Sequence, residues 1–209
     1  MADVAEAPVA VAPAEPREAE VVRAALGDAL LKTKTAGGFL YLCVERARIL
    51  DVLTLLRDHE DLAFTLFSEC MGVDYSRWGH ERDFATGRFE VVYNLYSPKF
   101  GSRIFVKLSV DDGQKVPSAI PVYMGAEYPE REINDLFGVV FEGNPARPGQ
   151  RFLLPDDWQG HPLRKEYPLG GEDVNFDQET RGPAVEDVMV PHAGESFEGK
   201  TGSEDVSGR

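Results

Sequence analysis

Two runs of alternating apolar and polar residues, joined by a six-residue connection, constrain the fold of this chain more than any other feature. One apolar face consists of Phe89, Val91, Tyr93 and Leu95, and the other consists of Ile104, Val106, Leu108 and Val110. Alternation with a period of two residues is typical of β-strands. The connection, Ser-Pro-Lys-Phe-Gly-Ser, suits a hairpin. We therefore predict two hairpin-linked strands, at residues 89–96 and 103–110.

Helical and strand patterns also precede this hairpin. Apolar residues at three- and four-residue spacing predict a helical unit that begins near Pro16 and lasts until Gly37-Gly38. Phe39–Val44 has the composition of a buried strand, residues 45–59 form a second amphipathic helix, and residues 64–75 form another strand. Strands that are each preceded by a helix predict a two-layer α+β domain.

A broken helical region follows Pro117 and resumes over residues 130–137, where Gly138 stops it. Residues 139–141 form a short final strand. Beyond Gly143 the chain is rich in proline, glycine and charge and has no periodic apolar face. Such a segment is expected to be disordered or to lie along another surface.

These patterns divide the chain into four segments. Residues 1–16 are an Ala/Pro/Glu-rich arm that we expect to be disordered. Residues 17–143 form the α+β core domain, and residues 144–170 form an extended docking ribbon. Residues 171–209 form an acidic, flexible tail.

The net charge of −14 is concentrated at the two ends of the chain. Residues 1–20 carry −4 and residues 170–209 carry −7, so the globular part is close to neutral. Acidic ends are repelled by phosphate backbones and by anionic lipid headgroups, which argues against nucleic-acid binding. No stretch approaches the roughly 20 apolar residues of a membrane-spanning helix, and the N-terminus lacks the pattern of a secretory signal.

The two cysteines, Cys43 and Cys70, lie in apolar, strand-like sequence. We expect buried structural thiols rather than a disulfide. Two thiols also cannot supply the four ligands of an iron–sulfur cluster.

Residues 194–201 fit the phosphate-loop pattern G-x-x-x-x-G-K-[ST]. That loop requires a strand before it and a helix after it, but only eight residues follow Thr201. Glu195 and Glu198 would also repel the phosphates. We interpret the match as accidental.

The first of two charged blocks runs from Glu130 to Gly138. On a helix, an apolar stripe would be flanked by Glu130 and Glu132, while Arg131 and Asp135 would lie at i,i+4 on the opposite side, where they can pair. An exposed pair of this kind contributes only about 0.3–0.5 kcal/mol. The block is compatible with a solvated helix face, with an acid–base site or with an interface that holds charged partners.

The second block runs from residue 161 to residue 169. Pro162 and Pro168 restrict the backbone and favour a stiff, non-helical ribbon. A stiff ribbon loses less entropy on docking than a flexible one, although an ordinary surface loop has the same composition. His161 has no second His or Cys at metal-ligand spacing.

The two blocks resemble the signature of the C subunit of bacterial proton-pumping NADH:quinone oxidoreductase, respiratory complex I, whose mitochondrial counterpart is the thirty-kilodalton subunit. The family helix E-R-E-x-x-D-[LM]-[FY]-G-[IV] and the later block H-P-L-R-K-[DE]-Y-P-L are both matched here. The matching residues are taken as subunit-interface candidates: Glu130, Arg131, Glu132, Asp135, Phe137, Gly138, His161, Pro162, Leu163, Arg164, Lys165, Tyr167 and Pro168. This chain departs from the family at Asn134, where an aromatic is frequent, and at Asn144, where histidine is usual.

The resemblance implies a two-layer α+β fold with a mixed sheet and a C-terminal segment that runs along its neighbours. It also implies a non-catalytic structural subunit of the peripheral arm, docked to the quinone-pocket subunit and near the iron–sulfur subunits. Such a subunit supports NADH-to-quinone electron transfer coupled to proton translocation. NADH, FMN, iron–sulfur clusters and quinone would be bound by other subunits, and the chain would bind no cofactor or metal. Its expected location is the cytoplasmic face of the bacterial plasma membrane.

Two alternatives remain open at this point. A free-standing acid–base enzyme could use Glu130, Glu132 and Asp135 if their carboxylates converged on a cleft with separated pKa values. The chain could also be the equivalent subunit of a related membrane-bound hydrogenase.

Overall fold

The computed structural model describes residues 15–79, 82, 87–145 and 150–167. Three α-helices and seven β-strands lie within these ranges. The helices are α1 (Arg17–Leu26), α2 (Ile49–Asp58) and α3 (Glu127–Phe137). The strands are β1 (Leu30–Ala36), β2 (Phe39–Val44), β3 (Leu66–Asp74), β4 (Phe89–Ser97), β5 (Ser102–Val110), β6 (Lys115–Pro117) and β7 (Val140–Glu142).

Five of the strands form a mixed sheet in the order β1-β2-β5-β4-β3. Strands β2 and β5 pair in parallel, and the other neighbours are antiparallel. The predicted hairpin is present as β4 and β5, with Ser97 opposite Ser102. Strands β6 and β7 form a separate parallel pair. The mixed sheet and the helices confirm the α+β fold class.

The core lies on the face of the sheet formed by the alternating apolar residues of β4 and β5. All eight of those residues are at most 2% exposed. Helix α2 contributes Ile49, Val52, Leu53 and Leu56, which are 0% exposed, and α1 packs on α2. Each fully buried aliphatic side chain stabilises the fold by about 1.5–3 kcal/mol. Cys43 and Cys70 are buried and are not joined in a disulfide, as predicted.

The prediction of a helical unit that lasts until Gly37-Gly38 is wrong in its second half. Helix α1 ends at Leu26, and residues 30–36 form strand β1, which pairs antiparallel with β2. Gly37 and Gly38 form the two-residue loop of this hairpin, with φ of 59° and 81°. Positive φ at both loop residues is the requirement of a type I′ turn, which glycine meets without strain. Two adjacent glycines between apolar runs were therefore a hairpin signal.

Helix α3 lies so close to β3 that only glycine fits between them. A Cβ atom at Gly72 would lie 2.9 Å from Cδ2 of Phe137 and 3.2 Å from Cγ2 of Ile133. Strand β6, which pairs with β7 beside this helix, was not predicted. Three residues are too few to show the alternation that identifies a strand.

Residues 150–167 are the longer described part of the predicted docking segment 144–170, and from here on we call them the ribbon. They contain no helix or strand. Two successive turns are closed by backbone bonds from Arg164 N–H to His161 O, 3.1 Å, and from Tyr167 N–H to Arg164 O, 3.0 Å. The Leu163 N–H donates to the Leu136 carbonyl of α3 at 3.1 Å. The ribbon is thus joined to the helix by its backbone. The predicted N-terminal arm up to residue 14, the end of the docking segment at 168–170 and the acidic tail lie outside the described residues.

Candidate functional site

The end of helix α3 is shaped to receive the ribbon. Gly138 ends the helix in the left-handed conformation, with φ of 76°, and its N–H donates to the Asn134 carbonyl. A Cβ atom there would lie 2.6 Å from Nε2 of His161 and 2.8 Å from Nη2 of Arg164. Glycine is therefore required both by the backbone conformation and by the closeness of the ribbon.

Glu130 holds α3 to the segment after β6. Its side chain is 0% exposed, and its carboxylate accepts hydrogen bonds from Ser118 Oγ, from Ala119 N–H and from Asn144 Nδ2, at 2.6, 2.6 and 3.0 Å. Burial raises the pKa of Glu130 above its ordinary value, and the three donors oppose that rise only partly. Asn144, one of the departures from the family pattern, serves as one of these donors.

Asp135 holds the ribbon at the other end of the same helix. Its Oδ2 accepts the backbone N–H groups of Phe152, Leu153 and Leu154 at 3.2, 2.8 and 2.9 Å. Its Oδ1 lies 3.2 Å from Nη1 of Arg151. Burial alone would raise the pKa of Asp135, but the three amides and Arg151 outweigh burial, so the pKa lies below its ordinary value. The Asp135 carboxylate therefore binds the ribbon through its backbone amides.

Arg151 and His161 complete this anchor. Nη2 of Arg151 donates to the carbonyls of Trp158 and Gly160 at 2.7 and 3.0 Å, which folds the ribbon back on itself. Nδ1 of His161 lies 2.7 Å from the Asp135 carbonyl oxygen. A carbonyl oxygen only accepts, so Nδ1 carries the hydrogen. His161 is thus engaged in fixing the ribbon.

A second anchor is ionic and lies where β3 ends and β4 begins. The carboxylate of Asp74 is 3.1 Å from Nη2 of Arg88 and accepts the Lys165 N–H at 2.9 Å. Arg88 also pairs with Asp112 and Glu166. Burial would raise the pKa of Asp74, but Arg88 and the backbone N–H groups hold it well below its ordinary value. This anchor joins the ribbon to the sheet.

Arg164 connects the second anchor to helix α3. Its Nε donates to the Phe137 carbonyl at 2.7 Å, and its Nη1 and Nη2 lie 3.1 and 3.0 Å from the Asp112 carboxylate. Its guanidinium also lies over the Phe89 ring, 5.2 Å from the centroid. Arginine suits this position because its planar fork makes several directed hydrogen bonds at once.

The predicted pairing of Arg131 with Asp135 is wrong. Asp135 is 2% exposed and is hydrogen-bonded to the ribbon. Its carboxylate is therefore not available for an exposed i,i+4 pair. The guanidinium of Arg131 instead lies over the rings of Tyr128 and Phe152, 5.8 and 4.9 Å from their centroids. Those two rings stack on each other at 5.7 Å. We call Tyr128, Arg131, Phe152 and the neighbouring Leu153 the outer patch.

The thirteen predicted site residues differ in how the structure uses them. The side chains of Glu130, Asp135, His161 and Arg164, and the backbone of Gly138, contact other parts of this chain, as described above. Glu132, Leu163 and Lys165 are exposed, although the backbone N–H groups of Leu163 and Lys165 are bonded within the chain. Arg131, Phe137, Pro162 and Tyr167 are partly exposed, and Pro168 lies outside the described residues. The prediction missed the residues that receive the ribbon and the helix: Asp74, Arg88, Asp112, Ser118 and Arg151. Local patterns do not mark these residues, because the contacts that hold the helix and the ribbon in place join positions between 12 and 91 residues apart in the chain.

Comparisons with known proteins show the family of this chain. Residues 42–173 match the family model for the 30-kilodalton subunit of respiratory-chain NADH dehydrogenase. The chain belongs to this family. It is 46% identical over 158 residues to the C subunit of an NADH-quinone oxidoreductase from Roseiflexus sp. (strain RS-1), a match that covers 75% of this chain and 86% of that relative. The corresponding C subunit from Brucella abortus (strain 2308) is 40% identical over 178 residues, with 85% and 84% covered.

Two solved structures are also similar. A trypsin-resistant fragment (1-134) of Nqo5 is 30% identical, with a TM-score of 0.51 over 61% of this chain and 97% of that fragment. A chain of an archaeal respiratory membrane complex, a membrane-bound sulfane sulfur reductase, has a TM-score of 0.58 over 87% of this chain and 95% of that chain. At 21% identity, the second likeness concerns the fold alone.

Two further findings concern the described residues. None of the helices in these ranges combines the length and the apolar character needed to cross a bilayer. Within the same ranges, no group of three or more His, Cys, Asp or Glu side chains is arranged to hold a metal ion.

Proposed function

We propose that this family member is a non-catalytic structural subunit of the peripheral arm of NADH:quinone oxidoreductase. In this role it docks to the quinone-pocket subunit beside the iron–sulfur subunits, and it supports electron transfer from NADH to quinone coupled to proton translocation. The chain occupies the cytoplasmic face of the bacterial plasma membrane through its complex. NADH, FMN, iron–sulfur clusters and quinone are bound by the other subunits.

The observation that supports this proposal is the set of contacts that residues of the two charged blocks make within the chain. The carboxylates of Glu130 and Asp135 are buried and hydrogen-bonded within the chain, and they hold α3 and the ribbon as one block. That block presents the outer patch, in which Tyr128 is 59% and Leu153 is 57% exposed. Tyrosine and arginine are enriched among the residues that dominate protein–protein binding. A fixed block with an aromatic and cationic surface suits docking.

The geometry gives no support to an acid–base enzyme that uses Glu130, Glu132 and Asp135. Glu130 is bonded to the segment after β6, whereas Asp135 is bonded to the ribbon. Glu132, which lies between them in sequence, is exposed. A pair of catalytic carboxylates must converge on one reacting centre, and these three have different neighbours. The alternative predicts that the purified chain alone binds or converts a small molecule.

The docking proposal is tested by Arg131→Ala in the full chain, expressed with a tag in its native host. Loss of the guanidinium removes the cation from the two stacked rings, and we expect the recovery of co-purifying subunits to fall by about tenfold, which corresponds to ~1.4 kcal/mol of binding. Arg48→Ala is the matched control, because Arg48 pairs with Asp51 at the start of α2. The measurement is mass spectrometry of chains recovered from detergent-solubilised membranes.

The isolated variant must keep its melting temperature for this test to report on docking. If Arg131→Ala assembles normally and only turnover falls, the outer patch is not a docking surface. Metal analysis and the absorption spectrum of the purified chain test the proposal that cofactors are held elsewhere. A bound flavin or iron in the lone chain would contradict it.

A further inference from the structure

We propose that the outer edge of β3 accepts an extended strand from a partner polypeptide, with a basic side chain held between Glu69 and Glu132. This inference rests on the proposed function, since it assigns a partner chemistry to a subunit. It concerns a different surface from the outer patch.

The two edges of the sheet differ in how they are protected. Strand β1 is one edge and β3 is the other among the strands that the structure describes. Natural edges carry lysine or proline, or are very short, because unpaired backbone groups pair with other chains. Strand β1 contains Lys32 and Lys34, whereas the nine residues of β3, Leu-Phe-Ser-Glu-Cys-Met-Gly-Val-Asp, include no lysine, arginine or proline. Strand β3 is therefore the less protected of the two edges.

A groove lies between β3, α3 and the ribbon. It has a volume of about 340 Å³, and its walls are β3 residues 69–72, the α3 side chains Glu132, Ile133, Leu136 and Phe137, and Leu163 of the ribbon. Successive side chains of a strand point to opposite faces. Because four consecutive residues of β3 line the groove, an added strand at this edge would lie within its reach. An added strand would find its hydrogen-bonding groups there.

The side chains around the groove indicate the chemistry of the occupant. Met71 is 38% and Leu163 is 47% exposed, which offers apolar contact to alternate side chains of an added strand. Glu69 and Glu132 have no ion-pair partner among the residues that the structure describes. Two uncompensated carboxylates beside one groove favour a lysine or arginine. A second copy of this chain would bring four carboxylates together, which disfavours pairing of β3 with itself.

Hydrogen–deuterium exchange tests the strand directly, with the full chain alone and in the complex purified from native membranes. An added strand bonds the outward amides of β3, so we expect their exchange to slow by at least about tenfold in the complex. Peptides from β1 serve as the internal control and should exchange equally in both samples. Equal exchange of β3 in both samples, or the same protection at β1 as at β3, would overturn the proposal.

A matched pair of variants tests the side-chain contacts. Met71→Lys places a charge in the groove, and we expect recovery of co-purifying subunits to fall by about tenfold. Leu31→Lys alters a 62% exposed residue of the opposite edge and should leave recovery unchanged. Equal loss with both variants would overturn the choice of β3. Concentration-dependent dimers of the lone chain, with β3 protected in them, would make a second copy the occupant and overturn the proposal.

Failure of this inference is distinguishable from failure of the proposed function. If the chain co-purifies with other subunits while the β3 amides stay unprotected from exchange, the added strand is contradicted and the subunit role remains intact. A chain that co-purifies with no other subunit contradicts the subunit role itself.

Discussion

Glu130 and Asp135 lie five positions apart on one helix, and both carboxylates are buried, yet their pKa values move in opposite directions. Glu130 accepts hydrogen bonds from three neutral donors, so burial dominates and raises its pKa. Asp135 has three backbone amides and the cationic Arg151, which together lower its pKa below the ordinary value. The sign of the shift follows the donors rather than burial alone.

The two ends of helix α3 are also attached to different parts of the chain. The Glu130 end joins α3 to the core domain through Ser118 and Ala119, whereas the Asp135 end joins α3 to the ribbon. An acidic residue therefore attaches α3 to the core domain at one end, and another attaches the ribbon, which has no regular structure, at the other. Variants of the two residues should separate these roles.

The largest effect is expected for Asp135→Ala. The change leaves three backbone N–H groups and the Arg151 guanidinium without their acceptor, and removal of one partner of a buried pair costs about 3–5 kcal/mol. We expect ribbon residues 150–167 to become sensitive to protease while the core resists. Limited proteolysis followed by mass spectrometry checks this outcome. A variant whose ribbon stays protected would show that the Asp74–Arg88 anchor suffices.

Glu130→Ala should lower the free energy of unfolding by less, about 2–3 kcal/mol. The change leaves neutral donors without an acceptor, which costs about 1–3 kcal/mol each, but it also removes a carboxylate that was costly to bury. The free energy of unfolding is measured by urea titration of the isolated chain. In contrast to Asp135→Ala, we expect protease resistance of the ribbon to persist. Cleavage of the ribbon in both variants would erase the distinction between the two ends of α3.

Acidification should act on the two carboxyls with opposite sign. The folded pKa of Asp135 is lowered, so its contribution is complete above the unfolded value of about 3.9 and is lost as pH falls through the folded pKa. The folded pKa of Glu130 is raised, so protonation relieves its burial cost as pH falls towards the unfolded value of about 4.3.

Melting temperatures between about pH 7 and pH 3 measure both effects. Asp135→Asn should flatten the loss of stability at the acidic end, and Glu130→Gln should remove the gain on mild acidification. Identical pH profiles for the wild-type chain and Asp135→Asn would mean that Asp135 does not titrate as its surroundings indicate.

The smallest effect is expected for Glu132→Ala. Glu132 lies between the two buried carboxylates in sequence but is exposed, so its removal should change the free energy of unfolding by no more than about 0.5 kcal/mol. Urea titration beside Glu130→Ala provides the comparison. A loss comparable to that of Glu130→Ala would place Glu132 in a contact that the fold does not show.

The sequence predicted the hairpin of β4 and β5, the strand β2, the helices and the stop at Gly138, because their signals are local and periodic. It also determined the family, through the two charged blocks. It misplaced β1, although Gly37 and Gly38 carried a local hairpin signal, and it could not identify β6, which is too short for a period.

Which of the charged residues remain available at the surface depends on contacts between distant parts of the chain. Helical spacing offered Arg131 as a partner for Asp135, but Arg151 and the amides after it reach Asp135 from the ribbon. Likewise, Asp74 receives the N–H of Lys165, which is 91 residues away in the chain. Local periodicity carries no information about contacts over such separations, because they depend on where the folded sheet and helix place each carboxylate.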